Sequence, residues 1–171
     1  MIILSSSRIN FRKINRNDFN EIYEILGDEE IMYAWEHGFS QEEVKEWIEK
    51  NLLRYGNKGY SYFAMIEKNT GKFIGVMGPL IEEIEGEKFL GLAYILNKKY
   101  WRQGYGIEGA KACLNYAFKI LKGEKVITQI RPENISSIKV AKSLGMKLEK
   151  EIIKTYRGKK MPHLIFAIER G

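Results

Sequence analysis

The chain has 171 residues, 44% hydrophobic and 29% charged with only three prolines, which excludes a disordered chain and suits one domain with its own core. Its 28 basic and 22 acidic residues leave a net charge of +6, spread out rather than gathered into a stripe, so charge alone argues for a solvated surface and against a nucleic-acid face. The single cysteine, Cys113, excludes an internal disulfide and a multi-cysteine zinc site, and no run of about 18 apolar residues offers a membrane span.

In chain order, MIILSSSRIN opens with a run of only four apolar residues and has no basic leader, so it reads as no signal peptide and the chain is expected in the cytoplasm. SRINFRKI (7–14) alternates apolar and polar residues, as a half-buried strand does. Asn15 with Asp18, and Ser40 with Glu43, have capping-box spacing. Behind them Phe19, Ile22 and Leu26, then Val44, Trp47, Ile48 and Leu52, form the apolar stripes of two helices. YSYFAMIEK and KFIGVMG meet at Asn69-Thr70-Gly71 in a hairpin. FLGLAYIL (89–96) is nearly all apolar, as in a central strand covered on both faces.

A third helix carries Ile107, Ala110, Leu114, Ala117, Phe118 and Leu121 inward and ends at Gly123. KVITQIR is a strand, Asn134 caps a short helix that runs to Leu144, and LEKEIIKTY and PHLIFAIE turn at Arg157-Gly158. The order β-α-α-β-β-β-α-β-α-β-β predicts a single α/β (α+β) domain over 1–171. Its mixed, mostly antiparallel twisted sheet has about seven strands, with helices on both faces.

Between FLGLAYIL and the third helix stands YWRQGYGIEG (100–109), with Gly104-x-Gly106-x-x-Gly109. A dinucleotide turn needs its first glycine directly after a strand, whereas Asn97 to Gln103 intervene here and too little chain follows for a doubly wound domain. What the residues support is broader: glycines that admit a ligand close to the backbone, at a helix start whose free N–H groups favour an anion. A tight turn feeding a helix is the plain alternative.

LAYILNKKYWRQGYGIEGA resembles the acetyl-CoA loop, Q/R-x-x-G-x-G/A, of the GNAT N-acetyltransferase superfamily, and is closest to the branch that acetylates ribosomal-protein N-termini. Asn134-Ile-Ser-Ser137 followed by Ala141-Lys-Ser-Leu-Gly145 resembles its N-x-x-S…L-G-F segment, and SRINFRKINRNDFNEIYEIL its opening. Trp101 departs from the wider superfamily, which has Gln or Arg there. The resemblance implies acetyl-CoA as co-substrate, held at its pyrophosphate by the amides of Arg102, Gln103, Gly104, Tyr105, Gly106 and Ile107. Ile95 and Leu96 would pair with the pantetheine chain, the Leu96 amide would polarise the thioester carbonyl, and Asn134 would bind the pantetheine arm. Lys98 and Lys99 are further candidates for the phosphates. FLGLAYIL and KVITQIR should splay apart to admit the cofactor.

The implied reaction is attack of a neutral primary amine on the thioester, without a metal. An α-amine, with a pKa of about 8, is neutral far more often at pH 7 than a lysine at about 10.4, so it needs less help from a base. The resemblance implies Ser137 as proton donor to the thiolate; the tyrosine that many members carry four residues later is Ala141 here. Both glutamates used by the ribosomal-type branch fall on other residues, Gly91 and Lys154. Glu82, Glu83, Glu36 and His37 are the available substitutes, and Glu83 is the one expected. Tyr33, Trp35 and Glu36 are expected to line the acceptor groove, while His163 and the mid-helix Cys113 read as structural.

The acceptor expected is a protein or peptide N-terminus, on a monomer or homodimer with no nucleic-acid or membrane partner. Rivals are a small-amine acetyltransferase acting on a polyamine, aminoglycoside or amino sugar, for which Asp28-Glu29-Glu30 is the motif to watch, and a non-catalytic acyl-CoA sensor. A nucleic-acid binder rests on charge alone and requires binding that falls steeply with salt.

Overall fold

The computed structural model describes residues 1–171 in full. Strands β1 (Ile2–Ser5) and β2 (Ile9–Lys13) form an antiparallel hairpin in which Ile2 pairs with Arg12 and Ser5 with Asn10. β1 adds an eighth strand to the seven expected; with four residues at the sheet edge it is too short for alternation to reveal it. Both capping boxes form. Asn15 accepts from the Asn17 amide while Asp18 accepts from the Asn15 amide (2.9 Å each), ahead of α1 (Phe19–Leu26). Ser40 Oγ and the Glu43 carboxylate exchange backbone bonds at 3.2 and 3.0 Å to open α2 (Gln41–Lys58).

β3 (Phe63–Glu67), β4 (Phe73–Ile84) and β5 (Glu87–Leu96) form a meander. β4 runs six residues beyond the Gly78 at which the expected strand ended, and turns at Glu85 and Gly86, both at positive φ. Gly78 is required where it stands, because a Cβ there would collide with the Ser61 carbonyl. Then follow α3 (Tyr105–Lys119), β6 (Lys125–Ile130), α4 (Ile135–Ser143), β7 (Lys147–Tyr156) and β8 (Lys159–Glu169). The sheet order is β1-β2-β3-β4-β5-β6-β8-β7, and β5–β6 is its one parallel pair.

Alternation sends successive side chains of each strand to opposite faces, and both faces are covered. Phe11, Met65, Met77, Leu92 and Leu96 pack under Ala110, Cys113 and Leu114 of α3 on one face. Val76, Leu80 and Ile95 pack under Ile22, Leu26, Val44 and Ile48 of α1 and α2 on the other. Each such fully buried side chain stabilises by roughly 1.5–3 kcal/mol relative to exposure, so the two layers, not helix propensity, hold the fold. No helix is long and apolar enough to cross a membrane.

Candidate active site

β5 and β6 are paired only at Leu90–Val126 and Gly91–Ile127. Beyond that point the single link is Thr128 Oγ1 donating to the Leu92 carbonyl at 3.0 Å, and the strands part. Since the backbone groups of Leu92 face β6, alternation turns those of Tyr94 and Leu96 to the same side, into the gap. The Leu96 carbonyl is occupied there by the indole N–H of Trp101, at 3.1 Å, which accounts for a tryptophan at this position. The Leu96 amide remains free for a ligand.

At one end of the gap lies the start of α3. Its first helical bond runs from the Glu108 amide to the Gly104 carbonyl, so the amides of Tyr105, Gly106 and Ile107 have no partner within the helix, and Gly104 supplies no side-chain cap. Arg102 and Gly104 sit at φ +61° and +83°, bending the loop so that these amides point outward. Gly104 is needed for that conformation. At Gly106 a Cβ would meet only ordinary contacts (Leu96, Tyr94 and Val140 at 3.6–3.8 Å), but a longer side chain would fill the groove between β5 and α4.

The loop is anchored from the β1–β2 hairpin. Arg8 bonds Glu108 through Nε (2.7 Å) and the Gln103 carbonyl through Nη2 (3.0 Å), while Ser6 Oγ donates to Glu108 at 2.6 Å. These bonds hold the Glu108 carboxyl below its usual range against the opposing effect of burial.

The gap opens into a cleft of about 1010 Å³ that runs through the sheet from one face to the other. On the α3–α4 side stand Asn134 and Ser137. Asn134 Oδ1 accepts from the Ser137 amide (3.2 Å), capping α4, and Ser137 Oγ lies 3.2 Å from the Tyr94 hydroxyl. Burial raises the Tyr94 phenol above its ordinary value, so it stays protonated and is able to donate. Nothing in its sequence position marked Tyr94; the signal is its i+2 relation to Leu92 and Leu96 on a strand whose partner departs.

On the α1–α2 side the cleft is walled by Trp35, Trp47, Tyr62 and Met161, with Glu82 on its floor. Burial pushes the Glu82 carboxyl up; Lys154, a hydrogen bond from Gln129 Nε2 (2.5 Å) and Arg54 act the other way. Glu82 fills the space above Gly91, where a Cβ would overlap its Cγ. The carboxylate absent from β5 at Gly91 is thus supplied to the same volume from the neighbouring strand.

Of the expected site residues, Ile95, Leu96, Arg102, Gly104, Tyr105, Gly106, Ile107, Asn134, Ser137, Tyr33 and Trp35 line this cleft. Three do not. Glu83 is a correction: it follows Glu82 on β4, so alternation turns it to the opposite face, where it is exposed. Glu36 is held outside by Lys159 and by Arg131 (3.5 Å). Gln103 donates its side-chain amide to the Lys99 carbonyl and lends its own carbonyl to Arg8.

Lys98 is tied to Asp28 (2.8 Å) and Glu30 (3.3 Å), and Lys99 to Glu24 (2.9 Å), which holds them away from the phosphate end and engages two of the three acidic residues 28–30 away from the cleft. His163 lines the acceptor side with its ring held by the Met161 carbonyl at 3.1 Å, and burial lowers its pKa; His37 lies off the cleft and bonds Glu43 at its rim. Cys113 is buried in the α3 core and its thiol is pushed far up, so it is no nucleophile.

Residues 8–147 match the family described as the acetyltransferase (GNAT) domain. The chain is 30% identical over 152 residues to the protein YkkB of Bacillus subtilis (strain 168), covering 88% of each. It is 29% identical over 147 residues to the uncharacterized N-acetyltransferase YnaD of the same organism, covering 85% of this chain and 83% of that one. A GNAT-family acetyltransferase from Bacillus anthracis superposes with a TM-score of 0.82 at 26% identity, over 99% of this chain and 98% of that one. Two structures at 18% identity share the fold. RimL, a ribosomal L7/L12 α-N-protein acetyltransferase in complex with coenzyme A, has a TM-score of 0.80 over 99% and 98% of the two chains. A spermidine N-acetyltransferase from Vibrio cholerae in complex with CoA and spermine has a TM-score of 0.76 over 95% and 96%.

Proposed function

The chain belongs to the GNAT acetyltransferase family, and from that premise we propose that its acceptor is the N-terminal α-amine of a protein or peptide. It is an acetyl-CoA-dependent N-acetyltransferase. The free amides at the start of α3 and the free Leu96 amide suit a ligand with a diphosphate at one end and a carbonyl at the other, as acetyl-CoA has.

Glu82 is the observation that carries the acceptor reading. It is one half-buried carboxylate on the floor of the acceptor side, on the face away from α3, with its pKa raised above the ordinary carboxylate value by burial. A single weak base of this kind matches an amine that is already about one-tenth neutral at pH 7. It matches a polyamine poorly, since a polycation calls for several carboxylates and Asp28 and Glu30 are engaged elsewhere by Lys98.

In the proposed reaction the amine nitrogen attacks the acetyl carbonyl carbon while the Leu96 amide donates to the carbonyl oxygen. The carbon–sulfur bond breaks with its electron pair leaving on sulfur. The ammonium proton passes to Glu82, and sulfur takes a proton from Ser137 as Ser137 takes one from the Tyr94 hydroxyl at 3.2 Å; solvent entering the open cleft then reprotonates Tyr94 and takes the proton from Glu82, which closes the cycle. Asn134 positions Ser137 through its backbone amide.

Calorimetry with acetyl-CoA, followed in the same buffer by thiol release with free-N-terminal peptides, spermidine, an amino sugar and an aminoglycoside, tests this reading. Peptides should give the highest kcat/KM, and Ser137→Ala should lower kcat about tenfold or more without weakening acetyl-CoA binding. A small amine that outpaces every peptide would overturn the acceptor assignment, and an unchanged kcat in Ser137→Ala would remove that residue from the reaction.

A further inference from the structure

The acceptor half of the cleft contains more charge than the transfer reaction uses. Arg54 on α2 is half-buried against the cleft, and its one contact is the Ser61 hydroxyl at 3.5 Å. Lys154 on β7 donates to Gln129 Oε1 at 2.9 Å, and Lys50, one turn before Arg54, has no polar partner. None of the three takes part in an ion pair, nor do Arg102 and Lys139 nearer the cofactor end; of the cations that line the cleft Arg131 alone is paired, to Glu133 at 2.8 Å and Glu36 at 3.5 Å. The carboxylates on this side are Glu82, whose proton chemistry is already assigned, Glu43, which is occupied by His37 and the Ser40 amide, and the exposed Glu46.

Lys50 and Lys154 are exposed, and Lys154 already donates to Gln129; Arg54 is the half-buried one, and a guanidinium fork held by a single long hydrogen bond suits a carboxylate in particular. The apolar wall between them, where the Trp47 and Tyr62 rings lie 5.1 Å apart, offers packing to the body that joins two polar ends.

Resting on the acetyl-transfer reading above, we propose that the acceptor carries an anionic group beside its amine: a chain N-terminus with a carboxylate side chain among its first few residues, or a free amino acid with the same pair of groups. The amine faces Glu82 and the anionic arm reaches Arg54 and Lys154. The same assignment predicts that a polycation is a poor acceptor, since it would meet the like charges of Arg54, Lys154 and Lys50.

The experiment measures acetyl-CoA binding first and then kcat/KM for matched peptides with a free N-terminus and Glu, Gln or Lys at the second and third positions. Free glutamate, glutamine and spermidine complete the set, each at low and high salt. Acidic acceptors should exceed their amide counterparts by about tenfold and the basic ones by more, with the gap narrowing at high salt. Arg54→Gln, and independently Lys154→Gln on the exposed strand β7, should remove most of the preference while leaving acetyl-CoA affinity as it was. Glutamate outrunning every peptide would assign the site to small amino acids, and acidic peptides outrunning glutamate would assign it to chain termini; either supports the inference. Turnover without a preference for acidic acceptors, or with one for basic acceptors, overturns it alone. Acetyl-CoA binding without turnover of any amine overturns the transfer reading and this inference together.

Discussion

Gly91 and Glu82 exclude each other's side chains: a Cβ on the first would overlap Cγ of the second. The site therefore holds one carboxylate in that volume, carried by β4 instead of β5. The two residues are nine apart in sequence, and they meet because the β4–β5 register pairs Leu80 with Gly91 and sets Glu82 diagonally across from it. Glu82→Gln preserves the shape and the contact with Gln129 while removing the proton acceptor. We expect kcat to fall about a hundredfold or more. Ionised Glu82 is the active form, so kcat/KM rises with pH through its elevated pKa; the variant should lose that limb and keep only the one set by the acceptor amine. A pH–rate profile of both proteins checks this, and two superimposable profiles would remove Glu82 as the base.

Among the elements, the segment from β5 through the loop to α3 is the one on which cofactor binding depends. Gly104 carries a φ of +83°, and a Cβ there would lie 3.3 Å from Arg8 Nη2. Gly104→Glu combines backbone strain with a negative charge beside amides that favour an anion. The expected outcome is a loss of acetyl-CoA affinity of roughly a hundredfold or more, with the circular dichroism of the fold retained; retained affinity would separate the loop from the phosphate site.

The loop, its glycines and the helix behind it were legible in the sequence, because glycine chemistry and 3.6-residue periodicity are local. β4 was legible only as far as Gly78. Pro79 reads as a breaker, yet it is accommodated because β3 has already left the sheet edge at the Phe63–Met77 pair. That misread boundary left PLIEEIE unassigned and gave no basis for choosing Glu82 over Glu83.

Across the whole molecule, acidic ties join segments far apart in the chain: Glu108 to Arg8, Asp28 to Lys98, and Glu36 to Lys159 and Arg131. All three carboxyls are held below their ordinary values, first by side-chain hydrogen bonds to Lys98 for Asp28 and to Lys159 for Glu36, and for Glu108 by Ser6 and Arg8 against burial. A depressed carboxylate contributes stability that is complete above its unfolded pKa and is lost as pH falls through the folded value. His163, buried neutral with a lowered pKa, adds a cost in the same direction when acid forces a proton onto it.

The melting temperature should therefore drop steadily between about pH 5 and pH 3. Glu82 has the opposite sign, since its raised pKa makes ionisation a cost to the folded state at neutral pH. Glu82→Gln should melt higher than the wild type near pH 7.5 and no higher near pH 4. Fluorimetry over that range measures both effects; an advantage that persists undiminished in acid would mean the gain comes from packing rather than from the removed charge.

The sequence by itself determined the local and the periodic: where helices start, where turns need positive φ, which faces are apolar, and the glycine loop whose resemblance pointed to the family. Those features arise from the conformational limits of residues a few positions apart. Tertiary structure alone decided which carboxylate stands beside the gap, that Tyr94 touches Ser137, that Lys98 and Lys99 are spent on Asp28, Glu30 and Glu24, and that Arg54 and Lys154 are not. Each of these depends on strand register and on which of two opposite faces a side chain takes, and a shift of one residue reverses every such assignment.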